Sequence, residues 1–201
     1  MRYFSNLFLL SVLTGFVGCK PAVMFFAGAK PIKVQTYESS AAKLRKLGVS
    51  DTLLVFPKDT AAYRIATKRA KELDLHFFDE KGTKVIYMEA ATCMAPSFSI
   101  TKEMCNQQPI RVDSSVSLKE EYGLFTSFNN PGLLNGDSGA YDRVVFVYWY
   151  SHNAGYNREH LKDWVKDLQR SDKECRVKLI MVSLDIIDKL FGNDIRVRMP
   201  K

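Results

Sequence analysis

The sequence predicts an α/β fold, and three features predict it. The run Val144-Val145-Phe146-Val147-Tyr148-Trp149-Tyr150 is apolar without alternation, the pattern of a strand buried on both faces. Leu161, Trp164, Val165 and Leu168 recur at i, i+3, i+4 and i+7, one apolar stripe of an amphipathic helix. A second run over residues 177–184 is apolar except at Lys178 and Ser183. Strand 143–150, helix 158–169 and strand 177–184 then form a βαβ crossover, right-handed by the general rule. Alternating strands and helices imply a mostly parallel sheet covered by helices on both faces.

The other elements follow in chain order. Residues 39–47 read as a short helix, capped by Ser39 or Ser40 and stopped by Gly48. Residues 52–56 read as a buried strand ended by Pro57. Residues 60–73 read as a helix capped by Asp59 or Thr60, with Ala62, Ile65, Ala66, Arg69, Ala70 and Leu73 on one face. Residues 75–88 form a hairpin, turning at Asp79-Glu80-Lys81-Gly82 where Gly82 supplies the permissive backbone. His76 falls in its first strand, in or near the core. Residues 90–140, rich in Pro, Gly, Ser and Asn, read as a loop-rich insertion. Within it 117–122 is one or two helical turns and 129–142 an exposed excursion. Residues 186–191 are a short helix or turn.

The start of the chain speaks of location. Arg2 precedes an apolar run over 7–18 and then Cys19. The run is short of the roughly 20 apolar residues of a spanning helix. Basic start, short apolar segment, small residue and cysteine are the order of a secretory signal. Phe16-Val17-Gly18-Cys19 resembles the cleavage box of bacterial lipoproteins, with Phe16 its departure. That resemblance implies a signal peptide over 1–18, palmitate-type lipid on Cys19, a tether over 19–37 and a domain over 38–201. Two other readings stand open: one membrane anchor over 7–29 interrupted by Lys20, and cleavage after Ala27-Gly28-Ala29. All three export the domain to the cell envelope, facing the periplasm or exterior.

The chain carries a formal charge of +7 at pH 7, and its basic residues are spread along helices. No nucleic-acid motif of interleaved aromatics and glycines appears, so no nucleic-acid partner is expected. With three His and no Cys/His cluster, no metal site and no cofactor are expected. Of the four cysteines, Cys93 and Cys105 share one loop-like stretch and are the expected disulfide in an oxidising compartment. Unpaired thiols and a redox pair are the alternatives for them, and Cys175 reads as a lone thiol.

Residues 143–185 resemble the core βαβ of the thioredoxin superfamily, in its membrane-tethered thiol-disulfide branch. Trp149 stands at the early Trp position and Arg158-Glu159 at the helix opening. The hairpin Phe77-Phe78-Asp79-Glu80-Lys81-Gly82-Thr83-Lys84-Val85 is similar to that fold's F-x-D-x-x-G-x-x-V hairpin, although it precedes the βαβ. The layout also resembles small thioredoxin-like lipoproteins of Gram-negative bacteria. The resemblance implies a mixed sheet flanked by helices. The departures are chemical. Asn153 and Tyr156 stand where the redox cysteines would be, and Asp74-Leu75 where a proline would precede the hairpin strand. Neither Asn nor Tyr forms the thiolate on which the family's mechanism depends.

Ligands in such sheets gather beyond the C-terminal ends of the strands, which selects Ser151-His152-Asn153-Ala154-Gly155-Tyr156-Asn157 as a candidate binding loop. Asn157 is its natural helix cap, and His152 beside a helix N-terminus resists protonation. A plain solvated loop is the bland reading. No G-x-S-x-G elbow supports Ser151-His152 as hydrolytic, and no catalytic residue is assigned. The leading expectation is a membrane-tethered lipoprotein with a redox-inactive domain in a binding or accessory role, its partner an envelope protein. The alternatives are a divergent thiol-disulfide oxidoreductase using Cys93 and Cys105, and a structural envelope protein.

Overall fold

The computed structural model describes residues 34–70, 74–87, 101, 104–135, 139–151, 160–171 and 174–191. The signal segment, Cys19, Cys93 and the loop residues His152, Asn153, Tyr156 and Asn157 lie outside the described residues, as do Arg158 and Glu159.

The chain is α/β, with a seven-stranded mixed sheet flanked by helices. Its elements are α1 (Tyr37–Lys46), β1 (Leu54–Pro57), α2 (Thr60–Arg69), β2 (Asp74–Asp79), β3 (Thr83–Ile86), β4 (Arg111–Ser117), α3 (Leu118–Tyr122), β5 (Phe125–Thr126), β6 (Arg143–Trp149), α4 (Lys162–Ser171), β7 (Val177–Ser183) and α5 (Asp188–Phe191). The strand order is β4-β3-β2-β6-β7-β1-β5. Among the strands described, β6–β7 and β7–β1 pair in parallel and the other pairs are antiparallel, so the sheet is less parallel than the alternation of elements suggested. The hairpin β2–β3 lies antiparallel against β6, with Asp79 opposite Arg143 and Asp74 opposite Tyr148.

The two buried runs read in the sequence become the two central strands. Along β6, Val145, Val147 and Trp149 face one core while Val144, Phe146 and Tyr148 face the other. This is the two-residue period of a strand with both faces covered. On the first face pack α1 through Ala41 and Leu44, and α4 through Trp164, Val165 and Leu168. On the second pack α2 through Ala66 and α3 through Leu118 and Tyr122. Ile65, placed on the apolar face of α2 by its spacing, is instead exposed.

Local chemistry sets the element ends. The side chain of Asp59 accepts the Ala62 N–H and starts α2. Thr36, upstream of both serines expected to cap α1, caps it through the Ser39 N–H. Gly82 takes φ +74° in the hairpin turn, a region L side chains avoid, and Asp79 Oδ1 accepts the N–H groups of Lys81 and Thr83. The loop-rich insertion contains a strand the sequence reading did not find, β4, paired with β3. The 129–142 excursion is not simply exposed: Leu133 is buried against Phe125 and its neighbours.

The expected Cys93–Cys105 disulfide is corrected. Cys105 bonds Cys175, 70 residues away, with 5.8 Å between the Cα atoms. Each cysteine forms one such bond, so Cys175 is no lone thiol and Cys105 is closed to Cys93. Nearness in sequence favoured Cys93, but tertiary packing chose the partner. Ser171 Oγ donates to the Thr101 carbonyl and Asn106 Nδ2 to Glu174. These contacts hold the segment around Cys105 against the connection from α4 to β7.

Candidate functional site

Ser151, the one described residue of the predicted binding loop, sits where β6 ends, beside the end of β7. It is buried and held from two sides. Its N–H donates to Asp185 Oδ1 at 3.0 Å, and its Oγ accepts from Lys43 Nζ at 2.8 Å. Asp185 follows β7 by two residues and is only 3% exposed. Its Oδ2 accepts the hydroxyls of Ser40 at 2.9 Å and Ser183 at 3.0 Å. Lys43 also donates to Gln35 Oε1. One carboxylate therefore gathers α1, the end of β6 and the end of β7, through three donors.

Asp185 has no ion-pair partner among the described residues. Its charge is met by hydrogen-bond donors, the condition under which a buried carboxylate is tolerated. Burial first, and then the charge of Asp185, raise the Tyr63 pKa above the ordinary tyrosine value. The arrangement fixes backbone and charge at the strand ends. It contains no thiol. Ser151 is hydrogen-bonded to a lysine that is itself donating, so the pair as it stands is an anchor and not an activated nucleophile.

A second buried polar cluster lies under the other face of the sheet. Glu121 in α3 has no exposed side-chain surface. Its Oε2 accepts from Arg69 at 2.8 Å, its Oε1 lies 3.2 Å from His76 Nδ1, and Tyr148 donates its hydroxyl to the same Oε1. The His76 and Tyr148 rings are 4.6 Å apart. Burial acts to raise the Glu121 pKa, but the hydrogen bond and charge of His76, the Tyr148 hydroxyl and Arg69 outweigh it and hold the value below the ordinary one. Burial and the neighbouring carboxylate push Tyr148 far above the ordinary tyrosine value. Glu121 stays ionised and Tyr148 stays protonated, which suits a clamp joining α2, α3, β2 and β6.

The sequence reading placed His76 in or near the core, and it is buried there. It missed Glu121, Tyr148 and Arg69 as a set. The signal was Arg69, a guanidinium on the otherwise apolar face of α2, which demands an acid partner when packed. His160 is half-buried. The Cys105–Cys175 bond lies just before β7, whose length alone, about 20 Å, separates it from the Ser151 end.

Among the described residues no group of His, Cys, Asp and Glu could hold a metal ion, and no helix is long and apolar enough to cross a membrane. No protein-family model matches the chain, and neither a curated protein nor a solved structure matches it.

Proposed function

We propose that this chain is a cell-envelope lipoprotein, anchored through lipid on Cys19, whose thioredoxin-like domain lacks thioredoxin redox chemistry and binds an envelope protein through the loop beginning at Ser151. The observation that carries the reading is the buried junction of Asp185, Ser151 and Lys43. It fixes the base of the loop at the C-terminal ends of two parallel strands, the usual ligand position in such sheets. A pre-fixed loop base lowers the ordering cost of association.

The thioredoxin-like part of the reading is supported by the parallel β6–α4–β7 unit with the hairpin antiparallel along β6. The redox-inactive part is supported by Asn153 and Tyr156, which offer no thiol, and by a disulfide at the far end of β7. An oxidoreductase built on Cys93 and Cys105 loses its pair, because Cys105 is bonded elsewhere.

Two measurements on the full-length chain test the proposal. Cys19→Ser abolishes incorporation of labelled palmitate and releases the protein from membranes; unchanged partition refutes the lipid anchor. His152→Ala with Tyr156→Ala removes cross-links to the partner while the thermal midpoint holds. Unchanged cross-links, or turnover on a thiol substrate, refute the binding role.

A further inference from the structure

At the opposite end of β6 from Ser151, the hairpin turn and α3 border an open cavity of about 530 Å3. Leu118, Tyr122 and Leu134 form its apolar lining, and Lys81 and Lys119 its cationic one. The turn and α3 are tightly joined. The Leu118 N–H donates to the Gly82 carbonyl at 2.8 Å, and a Cβ on Gly82 would come within 3.1 Å of Leu118 Cβ. Tyr122 is buried against Phe146, and Lys178 lies 5.3 Å from the centre of its ring.

Three of the carboxylates nearby are already engaged, and Glu80, exposed on the turn, acts through its charge on Arg176. Asp79 Oδ1 accepts two backbone N–H groups of its own turn. Glu120 Oε2 accepts both the N–H and the hydroxyl of Ser117, closing the short α3 at its start. Asp142 pairs with Arg176 at 2.8 Å. Lys81 and Lys119 are exposed and have no ion-pair partner among the described residues. Two uncompensated ammonium groups therefore border a cavity with an apolar lining and no acid in it.

We propose that this cavity binds a small amphiphilic carboxylate, its head held by Lys81 and Lys119 and its apolar body lying on Leu118, Tyr122 and Leu134. The volume falls in the range of small-molecule sites, roughly 300–1,000 Å3. The two ammonium groups select an anion, and the lining rewards an apolar tail through removal of its surface from water. This site is independent of the strand-end loop and stands or falls separately from it.

The test uses the full-length chain and a decanoic acid analogue carrying a photoreactive diazirine on its tail, with the labelled peptides mapped by mass spectrometry. The expected label falls on peptides containing Leu118, Tyr122 or Leu134 and is competed by decanoate. It drops about fivefold in Lys81→Gln with Lys119→Gln, as expected for two surface ion pairs lost. The corresponding alcohol labels as weakly as that double variant. Leu134→Glu, which adds a carboxylate to the lining, also suppresses the label. Equal labelling by the alcohol, or undiminished labelling of the lysine variant, overturns the proposal. So does protection of Lys81 and Lys119 from acetylation by phosphatidylglycerol vesicles but not by decanoate, which would mark a membrane-facing surface instead.

Discussion

Glu121 ties its own helix, α3, to α2, β2 and β6 through one carboxylate with no exposed surface. Removing it leaves Arg69 and the buried hydroxyl of Tyr148 without their acceptor. Glu121→Ala should therefore lower unfolding stability by roughly 3 kcal/mol in urea titration. Its folded pKa is depressed, so the stability it gives is fully present above the ordinary glutamate value, about 4.3. That contribution is lost as pH falls further, through the lower folded value. Glu121→Gln should flatten this acid limb; an unchanged limb would mean that other carboxylates govern it. Asp185 makes a comparable junction at the C-terminal ends of β6 and β7. Asp185→Ala strands the Ser151 N–H and two serine hydroxyls and should cost about 2–3 kcal/mol, while Asp185→Asn keeps part of the junction. Arg69 was legible as an oddity on an apolar stripe. Asp185 was not, because its partners Ser40 and Ser151 are 145 and 34 residues away, and no local pattern encodes such a meeting.

The elements that could be read from sequence are those whose burial is regular. β6, β7 and α4 announce themselves through apolar runs or a single stripe, and Gly82 through the turn it must make. β4 could not be read because Asp113, Ser114 and Ser115 interrupt any alternation. It is an edge strand whose register with β3 breaks between Thr83 and Lys84, and polar, irregular edges are how sheets avoid pairing with other chains. β5 has only two residues and exists through its pairing with β1. The cysteine pairing was misread for a related reason: short separation favours closure, yet packing of the segment around Cys105 on the α4–β7 connection decides. Because the bond closes a loop of about 70 residues, its removal in Cys105→Ser with Cys175→Ser should cost about 4 kcal/mol on the chain-entropy account. Acid trapping and alkylation in cells should find Cys105 and Cys175 linked before and after a pulse of reductant. Mixed disulfides at either position would show redox work.

At the scale of the molecule the two ends of the sheet have separate chemistry. The Ser151 end holds the buried Asp185 junction. The opposite end holds the disulfide, the lysine-lined cavity and the 129–142 excursion, whose Asn129 reaches Asp51 and whose Asn135 carbonyl accepts from Lys178 at the start of β7. Ser151 and the described part of that excursion therefore lie at opposite ends of the sheet. A partner binding at the loop should leave the excursion untouched, and this makes the central claim testable by position. The most direct measurement is photo-cross-linking in living cells from a reactive residue at Asn153 and, separately, at Gly132. The account predicts a discrete protein adduct from position 153, none from 132, and loss of the first when Lys43→Ala loosens the loop base. Adducts from 132 alone, or an adduct from 153 indifferent to Lys43, would contradict it.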